Sequence, residues 1–345
     1  MRYSRTLPGD FEQLLLPGGP LRFVVDLVVR SAPCAIDEAL DLQLREHGRK
    51  DHKVTLYRGD TAILHMRLDR LDVRGPTLKL WAHHEYRKRF QGLGLSPSYA
   101  ITDAEGLSAG ITGYLKNVSV GSHHFNREGR CENWLSHRYG SHWQRGEWVA
   151  VDREVVIGYE NQAEKEAEWG PIKTRFDEFG VGLPALMQSR FNLPVQKKTV
   201  GNELDLLLLR PSTGEFLIAE VKDGGSAAGV YRSPIQVAAY LAVWRRFIEA
   251  QPADALKGVR GLLEQKIRLG LIPKGVPLPK RISKNALRPA IIVQNPNRRS
   301  GCWKRLTAVL QLLQEAMPGS LHGLGLWAVE NDALTDITGT WRKWE

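Results

Sequence analysis

The chain has 345 residues, of which 42% are hydrophobic and 25% charged, and its formal net charge is +10. This length predicts two domains with separate apolar cores, and the composition is typical of a globular protein. The apolar runs are too short to span a membrane, the first residues lack the apolar core of a secretory signal, and three scattered cysteines exclude a disulfide framework. We therefore expect a cytoplasmic protein with no membrane partner.

The first 155 residues are predicted to form an α+β or β-rich domain. Its expected elements are strands at 23–29 and 77–85, a helix at 36–47, and a hairpin of 54–57 with 61–68 that turns at 58–60. We interpret this domain as one that recognises the target or binds a partner protein.

Residues 121–149 interleave histidine, cysteine and tryptophan side chains: His123, His124, Cys131, Trp134, His137, His142, Trp143 and Trp148. One interpretation is a zinc site, or a nuclease centre built from His124, Asn133 and His142. Because the spacing fits no standard ligand pattern and includes no Cys-x-x-Cys, core or surface recognition residues are the favoured interpretation.

Residues 156–345 are predicted to form one α/β domain. Its expected elements are a helix at 163–190 broken at 170–171 and 180–184, strands at 194–200, 204–209 and 216–221, a helix at 233–250, a basic and partly helical insertion at 252–288, a strand at 289–295, a helix at 302–316 and a last strand at 325–329. The helix at 233 is predicted to begin with Ser233 as N-cap, Pro234 at the first position and Gln236 closing a capping box.

The most informative feature is the pair of apolar segments 204–209 and 216–221, which flank a run of turn-forming residues at 211–214. A hairpin centred between residues 212 and 213 places Asp205 opposite Glu220, with Cβ atoms about 5 Å apart. Lys222 lies two residues further along and shares their face. The flanking residues predict strands buried on both faces, where charges need a partner or a metal. Such a cluster can hold a hard divalent cation and activate a water, whereas the alternative is a solvated face with an ion pair such as Lys222 to Glu203.

An Asp on one strand, followed by Glu-x-Lys on the next, resembles the PD-(D/E)xK nuclease superfamily. The resemblance covers residues 160–330 and implies a restriction-endonuclease-like core, with a mixed central sheet flanked by helices in the order α-β-β-β-α-β. It implies that Asp205 and Glu220 bind Mg²⁺, for which Mn²⁺ can substitute, with the carbonyl of Val221 as a further ligand. It also implies that Lys222 positions or helps to deprotonate the attacking water and steadies charge on the phosphate. Leu204 stands where the family has a proline.

Gln236 and Tyr240 are similar to the Gln-x-x-x-Tyr signature of the RecB-type branch, and they follow Lys222 in the order of that branch. This similarity implies that both residues contact nucleic acid, whereas helix capping by Gln236 and core packing by Tyr240 are the alternatives. The superfamily often adds an acidic residue from its first helix. Four residues compete for that role: Glu164, Glu166, Glu168 and Glu178.

A basic segment, residues 265–314, contains no Asp or Glu and holds 11 basic residues, so it accounts for the whole positive net charge. Such a segment predicts phosphate contacts with a polyanion, and its prolines argue against a membrane-bound amphipathic helix. The nucleic-acid-binding residues predicted there are Arg281, Lys284, Arg298, Arg299 and Lys304.

Together these observations predict a magnesium-dependent deoxyribonuclease, with endonuclease or exonuclease action and RNA as a substrate left open. The chain has no Gly-x-x-x-x-Gly-Lys-Ser/Thr loop, so an ATPase, helicase or defence-system subunit is expected only as a separate partner. Restriction, antiviral defence, recombination and repair all agree with the resemblance, and we favour defence as a hypothesis. The alternatives are a catalytically inactive nuclease fold that binds nucleic acid, and chemistry carried by the His and Cys residues of 121–149.

Overall fold

The computed structural model describes residues 1–30, 40–47, 51–59, 61–70, 76–82, 95–118 and 127–345. The chain is an α/β protein with two sheets flanked by helices, and it divides into two compact units. The amino-terminal unit comprises Ser4–Glu147 and Gly258–Leu278, and the carboxy-terminal unit comprises Met1–Tyr3, Trp148–Lys257 and Pro279–Glu345. The division thus differs from the predicted boundary after residue 155, and it splits the basic segment between the units. No helix in the described ranges is both long and apolar enough to cross a membrane.

The amino-terminal unit contains a five-stranded antiparallel sheet in the order β1-β2-β3-β4-β5. Its strands are β1 (Leu40–His47), β2 (Asp51–Arg58), β3 (Thr61–Asp69), β4 (Thr77–Trp81) and β5 (Ser98–Ala100). Its helices are α1 (Gly9–Leu15), α2 (Arg22–Arg30), α3 (Ala104–Asn117) and α4 (Arg127–Arg138). Both α2 and α4 pack on the sheet at β1.

Two element types predicted for this unit are wrong. Residues 23–29 form part of α2 instead of a strand, because their buried side chains, Val24, Val25 and Val28, recur at the three- and four-residue spacing of a helix face. The described part of 36–47 is β1 instead of a helix, and its apolar side chains, Leu40, Leu42 and Leu44, occupy alternate positions. The β2–β3 hairpin is confirmed, and β4 is the described part of the strand predicted at 77–85.

The carboxy-terminal unit contains a six-stranded mixed sheet in the order β11-β10-β9-β8-β7-β6. Its strands are β6 (Val149–Val155), β7 (Leu204–Arg210), β8 (Glu215–Asp223), β9 (Leu287–Gln294), β10 (Gly325–Glu330) and β11 (Ala333–Asp336). Strands β8, β9 and β10 run parallel, and the other pairs are antiparallel. Its helices are α5 (Gln162–Glu168), α6 (Gly170–Phe191), α7 (Ala227–Ala250), the first part of α8 (Pro252–Leu269) and α9 (Cys302–Ala316), with 3₁₀ turns at Lys284–Ala286 and Trp341–Trp344. Helix α7 packs on β8 and β9 and contacts α6 and α9.

The strand predicted at 194–200 is wrong. That segment is irregular, and β6 pairs with β7 in its place. The backbone of the segment bonds to α6 instead of a strand: Lys198 N–H donates to the Gly180 carbonyl at 3.1 Å, and Val200 N–H donates to Asp177 Oδ1 at 2.7 Å. The break predicted at 180–184 is also wrong, because α6 continues through Pro184 to Phe191.

Helix α7 begins at Ala227, earlier than the predicted start, and Ser226 is its N-cap. Pro234 therefore lies inside the helix, where it cannot donate to the carbonyl of Val230 four residues earlier. The hydroxyl of Ser233 donates to that carbonyl at 2.7 Å. Ser233 thus compensates for the proline instead of capping the helix.

Candidate active site

The β7–β8 hairpin has the predicted register. Leu206 pairs with Ala219 and Arg210 with Glu215, so Asp205 and Glu220 are the next pair outward. At the other end, Gly214 has a φ of 75° and its N–H donates to the Arg210 carbonyl at 2.8 Å, which closes the turn. The turn thus fixes which residues of the two strands face each other.

Asp205, Glu220 and Lys222 converge around the Val221 peptide and form what we call the carboxylate cluster. The ammonium of Lys222 lies 2.9 Å from Glu220 Oε1 and 3.3 Å from Asp205 Oδ2, and it donates to the Val221 carbonyl at 2.6 Å. The Val221 N–H donates to Asp205 Oδ2 at 2.8 Å, which orients that carboxylate. The prediction that these three charged side chains meet is confirmed.

The carboxylate cluster is largely removed from solvent. Glu220 is fully buried and Lys222 is 6% exposed, whereas the Asp205 side chain keeps 20% of its surface accessible. Buried charges of opposite sign interact more strongly than they do in water. The cluster therefore reaches solvent mainly at Asp205.

Lys198 is a fourth charged residue at this site, and sequence reasoning missed it. Its side chain is half-buried and interacts electrostatically with Glu220, Lys222, Arg232 and Asp205. Burial lowers the pKa of Lys198, the two carboxylates oppose that shift, and the two neighbouring cations add to it. The only sequence signal for its role was its place in a segment predicted as a strand.

Helix α7 brings Gln236 and Tyr240 to the same site. Tyr240 is 3% exposed, and a Cβ added to Gly201 would lie 3.6 Å from its hydroxyl. Burial, and then the carboxylates of Glu220 and Asp205, raise the pKa of Tyr240, whereas a hydrogen bond from Gln236 opposes the shift. The phenol therefore stays protonated and can donate a hydrogen bond.

A cleft of about 260 Å³ lies beside the segment that carries Gly201 and Asn202. Its other walls include Lys165, Glu166 and Trp169. Glu166 is the one of the four competing acids that lines this cleft, and it accepts a hydrogen bond from Gln162 at 2.8 Å. Of the others, Glu164 pairs with the Met1 amino group, Glu168 pairs with Arg246, and Glu178 is exposed.

The five basic residues predicted to bind nucleic acid are all exposed, but they lie near opposite ends of the strands β8 and β9. Lys284 precedes Leu287, which pairs with Phe216 at the start of β8, and Arg281 comes before it in the chain. The end of β9, where Lys222 pairs with Val293, is followed by Arg298, Arg299 and Lys304. The two strand ends are six residues, or about 20 Å, apart along β9. The second group of three is therefore nearer to the carboxylate cluster.

In the fold, part of the positive charge of the basic segment is offset by acidic residues from elsewhere in the chain. Among the described residues, at least four of its 11 basic residues pair with acidic residues from outside the segment: Arg268 with Glu12, Lys284 with Glu249, Arg288 with Glu215, and Arg298 with Glu330. Apart from the pair with the buried Glu12, these pairs are largely exposed and add little stability. All four reduce the positive potential available to a polyanion.

The His and Cys residues of 121–149 are described only in part, since His123 and His124 lie outside the described residues. His137 Nε2 is 3.0 Å from the Val28 carbonyl, and its ring lies 4.7 Å from that of His142. Cys131 is buried and forms no disulfide bond. Among the described residues, no histidine or cysteine joins a group with the spacing of metal ligands.

No family model, no curated protein and no solved structure matches this chain.

Proposed function

We propose that this protein is a divalent-metal-dependent nuclease that hydrolyses DNA phosphodiester bonds on a restriction-endonuclease-like core. The observation that carries the proposal is the convergence of Asp205, Glu220 and Lys222 at one point of a buried hairpin. A pair of carboxylates with a lysine in a buried setting is suited to metal-assisted hydrolysis. One feature departs from the expected order of that core: the strand beside β7 comes before the helices α5 and α6, instead of after them.

The donor set fits a hard divalent cation. Asp205, Glu220 and the Val221 carbonyl supply only oxygen atoms, as Mg²⁺ and Mn²⁺ prefer. One oxygen from each lies within 3.3 Å of the Lys222 ammonium, so the three oxygens already surround a positive charge. These three residues are the proposed metal ligands.

The chain's own residues have distinct parts in the proposed reaction. A bound Mg²⁺ would supply a nucleophilic water and polarise a phosphate oxygen. Lys222 orients the water or stabilises the negative charge that develops on the phosphate, where one such interaction contributes about 10²- to 10³-fold in rate. Tyr240 remains a neutral donor beside the carboxylates because its pKa is raised. Gln236 lies beside that hydroxyl and partly opposes the rise in its pKa.

The direct test is cleavage of circular plasmid and linear DNA with Mg²⁺ or Mn²⁺. We expect Asp205→Ala and Glu220→Gln to lose cutting, whereas Glu215→Gln, the same substitution at the turn end of β8, keeps it. Cutting of the circle indicates an endonuclease, and degradation of linear DNA alone indicates an exonuclease. Full activity of Asp205→Ala or Glu220→Gln would refute the assignment of the site.

A second candidate function is a catalytically inactive nuclease fold that binds nucleic acid. The observation in its favour is that the Lys222 ammonium already lies beside both carboxylates and donates to the Val221 carbonyl. This function predicts salt-dependent DNA binding by the wild type, no cleavage with either metal, and binding that is insensitive to added Mg²⁺.

A further inference from the structure

Lys198 is held in place by its backbone neighbours. The Gln196 N–H donates to the Tyr231 hydroxyl at 3.0 Å, and the Lys197 carbonyl accepts from Arg232 at 3.1 Å. The amides of Lys198 and Val200 donate to α6. Every position from 196 to 198, and position 200, is therefore anchored to α6 or α7, which fixes where the Lys198 side chain starts.

The Lys198 ammonium has no hydrogen bond or ion pair among the residues that the structure describes, although Glu220 and Asp205 are near enough to interact electrostatically. Arg232, the neighbouring cation, differs because its guanidinium donates to the carbonyls of Ala228 and Lys197. Half-burying a positive charge without a hydrogen-bonded partner costs free energy. The Lys198 ammonium thus lies near the carboxylate cluster, and no described residue forms a hydrogen bond or ion pair with it.

The charges of the cluster show what such a cation can do. Asp205 and Glu220 are both carboxylates, and the Lys222 ammonium lies beside both of them. A phosphodiester is also an anion and is repelled by carboxylates. A second lysine weakens that repulsion and offers three N–H donors to a ligand.

We propose that Lys198 binds a non-bridging phosphate oxygen of the nucleic acid at the carboxylate cluster. This inference rests on the proposed nuclease function and adds a substrate-binding residue to it. Lys222 is committed to the two carboxylates, whereas Lys198 supplies the direct contact to the phosphate. The alternative is that Lys198 only neutralises the carboxylates, and it predicts that removing Lys198 leaves the salt dependence of DNA binding unchanged.

The experiment measures binding of a labelled DNA duplex in EDTA, where metal-dependent cutting is absent, at several salt concentrations. It compares wild type with Lys198→Ala, Lys198→Arg and Lys197→Ala, an exposed neighbour with the same loss of charge. Each phosphate contact contributes about 0.9 to the slope of log affinity against log salt. We expect Lys198→Ala to reduce that slope by about 0.9, Lys198→Arg to restore it, and Lys197→Ala to leave it unchanged. With Mg²⁺ present, we expect Lys198→Ala to cut at least tenfold more slowly.

The outcomes separate this inference from the proposed function. If wild type cuts DNA, Asp205→Ala does not, and Lys198→Ala keeps the wild-type slope, the nuclease stands and the role of Lys198 is refuted. Equal slopes for Lys198→Ala and Lys197→Ala would also refute it, because the effect would then be one of net charge. If wild type neither binds nor cuts DNA, the proposed function and this inference both fail.

Discussion

Gly180 offers a sharp test of how the irregular segment before β7 is positioned. A Cβ added at Gly180 would lie 3.1 Å from the carbonyl carbon of Lys198 and would overlap its oxygen. The Lys198 N–H also donates to the Gly180 carbonyl, so the segment cannot move away without breaking that hydrogen bond. The obstacle is backbone and cannot change rotamer as a side chain would.

These contacts set the expected magnitude for Gly180→Ala. Overpacking of this severity costs about 3 kcal/mol, at the upper end of the usual range. The better helix propensity of alanine returns about 1 kcal/mol. The net loss of about 2 kcal/mol corresponds to a Tm lowered by about 4–8 °C for a domain of this size.

Gly182 is the matched control, because it lies in the same helix and a Cβ there meets nothing within 4 Å. Gly182→Ala should gain up to about 1 kcal/mol and raise Tm by about 2–4 °C. Calorimetry and urea unfolding measure both variants, and DNA cutting should fall only in Gly180→Ala because Lys198 is displaced. Equal stability of the two variants would show that the segment does not pack on α6 as described.

Three further predictions concern the site and α7. Lys222→Ala should lower the cutting rate by about 10²- to 10³-fold with an unchanged circular dichroism spectrum, and wild-type rates would contradict its assigned role. Ser233→Ala should lower the free energy of unfolding in urea by about 1 kcal/mol. In a Pro234→Ala background, where the restored amide can bond to the Val230 carbonyl, the same substitution should cost almost nothing. Additive effects of the two substitutions would contradict the compensation. Lys198→Met should raise Tm at pH 7 while weakening DNA binding. Because the folded-state pKa of Lys198 is lowered, its charged ammonium destabilises the fold fully below that pKa, and this cost disappears as the pH rises through it towards 10.5. The Tm difference between Lys198→Met and wild type should therefore shrink in alkaline solution. A lower Tm of Lys198→Met at pH 7 would contradict this reasoning.

The geometry of the carboxylate cluster could be predicted because it depends on local rules. A short turn sets the hairpin register, and the two-residue period of a strand then places Asp205, Glu220 and Lys222 on one face. Both rules act within about 20 residues of chain. The same strands are buried on both faces, as their consecutive leucines indicated.

Features that depend on distant partners could not be predicted in this way. Residues 194–200 have the composition of a strand, but β6 occupies the position beside β7, and the choice between them depends on packing from elsewhere in the chain. Lys198 was missed for that reason. Likewise, the β-branched residues of α2 indicated a strand, but the segment forms a helix that buries its valines on one face.

The start of α7 shows a different limit. Ser233, Pro234 and Gln236 match the start of a helix, yet the chain continues a helix that begins at Ala227. A serine before a proline can either cap a new helix or supply the hydrogen bond that an internal proline removes. The local sequence is the same in both cases, so it cannot distinguish them.

The interleaving of the two units has a consequence for synthesis on the ribosome. The amino-terminal unit needs Gly258–Leu278, where Gln265 accepts from Leu7 N–H at 2.7 Å and the Leu269 carbonyl accepts from Arg22 at 2.7 Å. Its nascent chain therefore stays incomplete until residue 278 has been made, by which time most of the β7–β8 hairpin and α7 have already emerged. We therefore expect that the amino-terminal unit cannot finish folding before much of the other unit has been synthesised, and that residues 1–155 expressed alone aggregate or bind chaperones.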